Sequence, residues 1–544
     1  MVHDTTVRSS TAPPVEDLTR PVAPTPSADP GSVQKVRRRR RHPPMLVAAA
    51  IVVAAIALIP LGFILGYTIS IGPSTAAQLI FRPRIGELLW NTTRLTVGAM
   101  TLSIVLGVSA AWLVERSNLP FRRTLHILLA APLAIPAFVN SYAWISVLPG
   151  ANGYSGALLV VTLSYYPLVY LPAVAALRGL DPALEETAAA LGLSRWRTFL
   201  RVVVPQLRPA VFGGCLLVGL HLLAEFGALQ MVQFPTFTTA IYDQYQSTFN
   251  GPAANMIAGV LVLCGLLLVL GELRLRGRAR YARVGRGSAR PAVRARLGRL
   301  RIPSTLYVFA IVAVGVGVPV GSLIYWLSVG ASTHVDTSLL ITTTMTSVGY
   351  AAAAAAVAVV FATPVAWLCV RHPGKLSTVL ERSTYFGNAL PGIVVALALV
   401  TITIRVAPAV YQSALVVIIA YIILFLPRAM VNMRSALGQA PPVLDDVAHS
   451  LGLSRLGTFR RVTLPLIAPG IGAGAALVFL AAVTELTATL LLAPIGTRTL
   501  ATQFWSFSDS IAYGAAAPYA AVMILISAPA TFLLTRHARS GLIE

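Results

Sequence analysis

The sequence has few charged residues. Only 11% of its 544 residues are Asp, Glu, Lys or Arg, whereas 56% are apolar. This balance excludes a single soluble domain, because such a chain could not cover its core with polar surface. The apolar residues form continuous blocks of 20 or more, long enough to cross a hydrocarbon layer about 30 Å thick. Strict alternation is absent, which excludes a β-barrel and leaves α-helices as the spanning elements.

We therefore predict an all-α integral membrane protein with about twelve transmembrane helices. The predicted spans are 46–70, 92–114, 125–148, 157–177, 210–232, 253–273, 305–330, 345–370, 384–404, 412–433, 470–492 and 512–535.

Cysteine and catalytic motifs are also scarce. The three cysteines, Cys215, Cys264 and Cys369, fall inside predicted spans without metal-ligand spacing, so we predict packing roles and no metal site. The only Gly-Lys pair is Gly374-Lys375, and Cys369 stands where a phosphate-binding loop needs its first glycine. No H-E-x-x-H or G-x-S-x-G pattern occurs. We predict no catalytic residues, no bound cofactor and no enzymatic activity, so energy for any transport must come from another protein.

Acidic residues are outnumbered, and the net charge is +23. Arginines cluster at 37–41, 116–123, 274–303, 371–382 and 536–539, whereas Lys and Arg are almost missing from the alternate loops at 149–156, 233–252 and 331–344. With twelve spans, the positive-inside rule places both termini and every basic loop in the cytoplasm. A nucleic-acid-binding protein would need these charges on one soluble module, and none is present.

The chain repeats itself. Ala111-Trp112-Leu113 recurs as Ala366-Trp367-Leu368, and 191–195 recurs as 451–455 with the sequence Leu-Gly-Leu-Ser-Arg. We predict two parallel six-helix repeats, an arrangement that suits a pathway between the halves. Duplication without transport is the alternative.

The predicted domains follow from this repeat and from composition. They are a disordered basic cytoplasmic tail (1–44), a first transmembrane domain (45–273), an Arg-rich cytoplasmic linker (274–303) and a second transmembrane domain (304–544).

Two loops, 178–209 and 434–469, interrupt the spans at matching places. The first carries five arginines, which would cost about 15 kcal/mol together at the bilayer centre, so the loop must lie in water. Asp181-Pro182 predicts a helix start, and Gly192 predicts a left-handed turn before a second short helix. Each loop is then a helix–turn–helix with few apolar residues of its own, and it needs a partner surface.

The spacing in these loops resembles the "EAA" loop of importer permeases, which is E-A-A, three residues, Gly, nine residues and I-x-L-P. The departures are Thr187 and Val447 for the central Ala, and Asp446 for Glu. The resemblance implies that each loop forms a coupling helix that docks on an ATP-binding subunit. The residues implied are Glu186, Ala188, Gly192, Ser194, Arg195, Pro205, Asp446, Ala448, Gly452, Ser454, Arg455 and Pro465.

A wider resemblance covers most of residues 85–540. The segments 235–242 and 485–502 are similar to the fused two-domain permeases of the iron(III) importer group, to which thiamine and polyamine permeases are related. This resemblance implies a permease subunit in a bacterial cell membrane. Its implied partners are two copies of an ATP-binding subunit, which carry ATP and Mg, and an external substrate-binding lipoprotein or periplasmic protein. The substrate would be ferric iron or an iron complex.

Acidic residues inside predicted spans are costly and therefore notable. Glu225 and Glu485 are expected about 15 residues into their helices, roughly 22 Å along the axis. With His221, Asn140 and Tyr142 they are candidates for lining the pathway, and the alternative is that they are hydrogen-bonded packing residues. Paired acids also leave open a secondary transporter driven by an ion gradient.

Overall fold

The computed structural model describes residues 44–248, 250–276, 294–329 and 336–540. The predicted tail, apart from Pro44, lies outside the described residues, as do most of the Arg-rich linker and the end of the chain at 541–544. All described residues belong to one compact unit, His42–Glu544.

The described residues fold into α-helices joined by short connections. In the first half these are α1 (Pro44–Ile71), α2 (Pro73–Ile80), α3 (Pro83–Arg116), α4 (Arg122–Ala130), α5 (Ala137–Val147), α6 (Gly153–Tyr165), α7 (Pro167–Gly179), α8 (Pro182–Ala190), α9 (Arg195–Thr198), α10 (Val204–Ala224), α11 (Gly227–Met231), α12 (Phe237–Gln246) and α13 (Gly251–Arg276). In the second half they are α14 (Arg301–Val312), α15 (Val318–Val329), α16 (Thr337–Arg371), α17 (Lys375–Tyr385), α18 (Gly392–Val406), α19 (Ala414–Gln439), α20 (Pro442–Ser450), α21 (Arg455–Thr458), α22 (Leu464–Val483), α23 (Thr487–Leu492), α24 (Leu500–Asp509) and α25 (Tyr513–Ser540).

Short 3₁₀ and π segments complete the chain. The 3₁₀ turns are Ala131–Ala134, Gly298–Leu300, Phe386–Ala389 and Pro408–Val410, and the π-helical turns are Phe199–Val203, Ala313–Gly317 and Phe459–Thr463. Within the described ranges, extended pairing is limited to one isolated bridge between Ser117 and Ala295.

Every predicted span overlaps a helix or a broken helix pair. Over the described residues, nine helices are long and apolar enough to cross a membrane, and the bent pair Arg122–Ala134 with Ala137–Val147 makes ten. The remaining two predictions, 384–404 and 512–535, correspond to the shorter apolar helices Gly392–Val406 and Tyr513–Pro529. The predicted all-α membrane fold is confirmed.

The third span of each half is broken at a proline. In the first half, Ile135 and Pro136 adopt extended conformations, and the helices on either side meet at 97°. Leu390 and Pro391 adopt the same conformations in the second half. A proline cannot donate to the preceding turn and disfavours helical geometry in the residue before it, so the sequence ends one helix and starts another here.

The two halves interlock. The first helix of the chain, α1, packs against α16, α17 and α18 of the second half, whereas α15 packs against α5 of the first. The Ser146 and Ser322 hydroxyls lie 2.8 Å apart in the second of these contacts. On α16, one of the helices that α1 contacts, Ala351, Ala354 and Ala358 are buried, and small residues of this kind permit close packing of helices.

Candidate functional site

The two loops predicted to protrude are helix–turn–helix elements. In the first, the Asp181 carboxylate accepts a hydrogen bond from the Ala183 backbone N–H at 3.0 Å and caps α8. In the second, Pro441 occupies the same place and offers no such cap to α20. The elements therefore share a shape although their first caps differ.

A left-handed glycine closes each turn. Gly192 has φ +81° and Gly452 has φ +84°. Beyond each glycine the chain bonds back to the preceding helix, because Leu193 N–H donates to the Ala188 carbonyl at 3.0 Å and Leu453 N–H donates to the Ala448 carbonyl at 3.0 Å. This is the αL ending typical of helix C-termini, and side chains with a Cβ are strained in that conformation.

The remaining predicted loop residues take distinct places. Ala188 and Ala448 are buried inside the turns, whereas Glu186 and Asp446 are exposed. The Ser194 and Ser454 hydroxyls accept hydrogen bonds from Arg197 N–H at 3.5 Å and Gly457 N–H at 3.2 Å, and so cap α9 and α21. Pro205 and Pro465 stand in the first turns of α10 and α22. The side chains of Arg195 and Arg455 lie outside the described residues.

Large apolar side chains project from both loops. Leu191 and Leu451, at the tips, are 79% and 78% exposed, and Trp196 and Leu456 on the second short helices are 68% and 60% exposed. On loops that the sequence predicts to lie in water, matched apolar exposure of this kind is typical of an interaction surface. We call these four residues the loop tips.

An arginine from the preceding long helix anchors each loop. Arg116, at the end of α3, lies 3.3 Å from the Glu185 carboxylate and donates to the Leu177 carbonyl at 2.7 Å. Arg371, at the end of α16, lies 3.0 Å from the Asp445 carboxylate. The Asp445 carboxylate also accepts a hydrogen bond from the Thr463 hydroxyl at 2.8 Å.

These anchors were missed from the sequence. A signal was available in the sequence, because Arg371 follows Arg116 by 255 positions and Asp445 follows Glu185 by 260. These are the spacings at which 111–113 recurs as 366–368 and 191–195 recurs as 451–455.

An aromatic contact forms a second link between loop and span. The rings of Trp112 and Phe199 lie 5.8 Å apart, edge to face, and those of Trp367 and Phe459 lie 6.0 Å apart in the same manner. Both phenylalanines begin the π-helical turns that lead into α10 and α22. Such turns are frequent at functional positions. Each loop therefore contacts the long helix before it and runs directly into the long helix after it.

The predicted position of the two acids inside helices is wrong. α10 ends at Ala224 and α22 ends at Val483, so Glu225 and Glu485 stand at breaks rather than 15 residues into a continuous helix. The acids themselves cause the helices to break. Each carboxylate accepts a backbone N–H from the next short helix, Ala228 at 2.9 Å and Ala488 at 3.0 Å, which replaces helical bonding.

The acids lie near a contact between the halves. Gly227, two residues after Glu225, approaches Leu486 so closely that a Cβ there would lie 2.8 Å from its side chain. Arg428 of α19, with its guanidinium 5.1 Å from the Phe425 ring centre, is close enough to attract the Glu485 carboxylate. Arg428 was not predicted, and it has no counterpart in the first half, where Ala173 follows Pro172.

His221 joins Glu225 through a tyrosine. The Tyr165 hydroxyl donates to Glu225 Oε2 at 2.5 Å, and the rings of Tyr165 and His221 lie 5.4 Å apart. The His221 Nδ1 atom lies 2.8 Å from the Leu217 carbonyl.

Asn140 and Tyr142 are buried. Asn140 donates to the Ser164 hydroxyl at 2.8 Å, and Tyr142 donates to the Tyr513 carbonyl at 2.7 Å. A role for the five predicted pathway residues stays a prediction.

Metal-binding groups are not brought together in the part of the chain that the structure describes. No cluster of three or more His, Cys, Asp or Glu residues occurs there, and Cys215, Cys264 and Cys369 are free thiols.

The sequence matches known proteins over most of its length. The family described as "Binding-protein-dependent transport system inner membrane component" matches residues 103–278 and 358–540, once in each half. The chain is 38% identical to the Fe(3+)-transport system permease protein FbpB 2 of Haemophilus influenzae over 483 residues, covering 88% of this chain and 96% of the relative.

More distant relatives are similar over shorter stretches. The ferric transport system permease protein FbpB of Actinobacillus pleuropneumoniae is 24% identical over 397 residues, or 69% of this chain and 57% of that protein. The sulfate transport system permease protein CysW of Escherichia coli is 29% identical over 195 residues, or 33% of this chain and 67% of that protein. This chain is a multi-pass membrane permease and belongs to the family of binding-protein-dependent transport system inner membrane components.

Proposed function

We propose that this chain is the permease subunit of an ATP-driven importer in a bacterial cell membrane. It forms the translocation pathway and couples that pathway to ATP hydrolysis by two copies of a separate ATP-binding subunit. ATP and Mg are carried by those subunits, and this chain binds no cofactor of its own. The observation that carries the proposal is the pair of matched loops with exposed apolar tips.

The mechanism follows from how the loops are attached. Closure of two ATP-binding subunits would move both loop tips together. Each loop would pass that movement to its half through an arginine–carboxylate anchor and an edge-to-face aromatic pair, since Arg116 and Trp112 belong to the same helix. The broken helices at Glu225 and Glu485 would then change their separation, opening the pathway to one side at a time.

The proposed orientation puts both loops, both termini and the Arg-rich linker in the cytoplasm. It is supported by the clustering of arginine in alternate loops. An external substrate-binding lipoprotein or periplasmic protein would deliver substrate to the opposite face, as the family description implies.

We further propose ferric iron or an iron complex as the substrate. Support comes from the named ferric function of the relatives that match along most of the chain. The half-buried carboxylates of Glu225 and Glu485 are of the hard-oxygen type that a highly charged cation prefers.

A secondary transporter remains a second candidate because one observation favours it. Half-buried acids at broken helices inside the membrane are typical of ion-coupled transporters.

One experiment separates the two. The permease is reconstituted in vesicles with its ATP-binding subunit inside and its binding protein outside, and radioactive iron uptake is measured. We expect uptake that requires hydrolysable ATP and survives a protonophore. Uptake that continues without ATP and collapses with the proton gradient would establish the alternative instead.

A further inference from the structure

We propose that a cavity beside the first loop is a binding site for an anionic phospholipid. The cavity has a volume of about 930 Å³ and lies between α3, α10, the first loop and residues 294–300. This volume is at the upper end of the range of ordinary ligand sites.

The deep wall of the cavity is apolar and belongs to membrane-spanning helices. It includes Ile104, Val105 and Trp112 from α3 and Val211 and Phe212 from α10. From Ile104 to Arg116 the helix rises about 18 Å, which is close to the thickness of one leaflet of a hydrocarbon core about 30 Å thick. Val105 is 55% exposed on the outer surface of its helix, so the cavity is reachable sideways from lipid.

The rim of the cavity is basic. Arg208, Arg294 and Arg296 are exposed there, and the structure records no ion pair for them within the described ranges. A fourth arginine, Arg116, is balanced by Glu185. An apolar slot as deep as one leaflet, with an excess of positive charge at its mouth, is complementary to acyl chains below a phosphate headgroup.

Residues 294–300 are held in place over the mouth. Ala295 N–H donates to the Arg116 carbonyl at 2.8 Å, and Asn118 N–H donates to the Ala295 carbonyl at 3.2 Å. Leu297 N–H also donates to Asn118 Oδ1 at 3.0 Å. These bonds fix Arg294 and Arg296 beside the span end, so the basic rim is built by the fold.

The second half lacks two of the side chains that make the site. Ala468 and Gly472 occupy the positions of Arg208 and Phe212. We therefore infer one such lipid per permease, bound where it touches only the first loop. Assignment of the lipid to the cytoplasmic leaflet rests on the proposed function, whereas occupancy of the cavity does not.

The test is native mass spectrometry of the full chain, purified from nanodiscs of phosphatidylcholine with phosphatidylglycerol. We expect one retained phosphatidylglycerol, and roughly a hundredfold weaker retention in the triple variant Arg208→Gln, Arg294→Gln, Arg296→Gln, since each basic group near an anionic lipid contributes about a factor of five. The matched control is Arg382→Gln, Arg460→Gln, Arg461→Gln, which removes three exposed arginines from the other half. It should retain the lipid.

Two further arms separate a lipid from other ligands. Val105→Trp fills the slot without changing charge, and it should release the lipid as the triple variant does. Glycerol phosphate at millimolar concentration should not compete, because it lacks acyl chains. Equal lipid retention by the triple variant and its control, or full competition by glycerol phosphate, would overturn the proposal. None of these measurements depends on transport.

Discussion

Arg116 at the end of α3 lies 3.3 Å from the carboxylate of Glu185 in the first protruding loop, and the pair is matched by Arg371 and Asp445 at 3.0 Å in the second half. In both pairs the arginine is almost fully buried, with 7% and 6% of its side chain exposed. Removing the partner of a buried guanidinium is costly, because it leaves an uncompensated charge. Each loop is thus fastened to a long helix of its own half by one ion pair.

Neutralising both carboxylates should loosen both loops. The double variant Glu185→Gln, Asp445→Asn leaves two buried arginines without an opposite charge. We expect the free energy of unfolding to fall by about 1–3 kcal/mol. This is below the range for fully buried pairs, because the two carboxylates are themselves 33% and 21% exposed. ATP-driven uptake should fall at least tenfold, measured in reconstituted vesicles beside thermal unfolding.

Arg84→Gln is the control for this prediction. It breaks the exposed Arg84–Glu87 pair at 2.8 Å, whose partners are 56% and 50% exposed, so it should change neither stability nor uptake. Wild-type uptake by the double variant would show that the anchors do not transmit force.

Local sequence features predicted the loops well. Gly192 and Gly452 are left-handed as expected, since a glycine after a short helical segment is a local signal that requires no knowledge of the rest of the fold. The spans were also predictable, because hydrocarbon thickness sets a length that can be read from one segment at a time. The breaks at Glu225 and Glu485 were not predicted, since a side chain that caps a new helix inside an apolar run interrupts no hydrophobic pattern.

Contacts between distant segments were beyond sequence reasoning. The packing of α1 on the second half and the bond from Tyr142 to the Tyr513 carbonyl join residues hundreds of positions apart. Such pairings depend on how helices assemble, and several assemblies bury the same apolar faces. The arginine–carboxylate anchors were predictable in part. Arg116 and Glu185 both recur at the spacing of the duplication, but no local sequence feature indicates that they pair with each other.

The loop tips should hold the ATP-binding subunit. Leu191→Ser with Leu451→Ser removes apolar surface from both tips without touching the core, since each side chain is nearly four-fifths exposed. We expect the permease to fold and insert normally but to lose co-purification of the ATP-binding subunit, because buried apolar anchors dominate interface energy.

Phe81→Ser with Ile495→Ser provides a matched control for the tips. These side chains are 85% and 87% exposed and lie outside both loops, so their replacement should leave co-purification unchanged. Equal loss in both double variants would indicate a general effect of surface apolarity, and retained co-purification in the tip variant would place the partner elsewhere.

Substitution of the two turn glycines should uncouple the permease. Gly192→Val and Gly452→Val place a β-branched residue at φ +81° and φ +84°, which costs on the order of 1–2 kcal/mol at each turn, although a Cβ would meet no atom within 4 Å. Because there is space for a Cβ at both positions, the substitutions strain only the backbone of the turn. We expect normal insertion with loss of transport-coupled ATP hydrolysis.

Gly438→Val is the control for the turn glycines. Gly438 lies within α19, and a Cβ there also meets nothing within 4 Å. It lacks a positive φ, so valine is tolerated at that position. Coupled hydrolysis should be kept in this control. Normal coupling in the Gly192→Val, Gly452→Val variant would remove the loops from the mechanism.

Substitutions at Glu225 and Glu485 can separate the effect of their negative charge from the effect of their helix capping. Glutamine at position 225 or 485 keeps an oxygen that can accept the Ala228 or Ala488 N–H, whereas alanine removes that cap at a cost of about 1 kcal/mol. If the carboxylates line a path for a cation, the Glu225→Gln, Glu485→Gln variant should lose iron uptake at least tenfold while its thermal stability stays near wild type. The alanine pair should lose both.

Tyr165→Phe completes this comparison, since it removes the hydroxyl that donates to Glu225 Oε2 and leaves the charge in place. We expect it to keep most uptake. A different pattern would assign the acids to structure alone: glutamine variants that transport iron at the wild-type rate, beside alanine variants that are unstable and inactive. In that case Arg428, which lies close enough to attract Glu485, would be balancing a capping residue rather than a path-lining one. The three variants therefore decide whether these helix breaks carry substrate or only shape the contact between the halves.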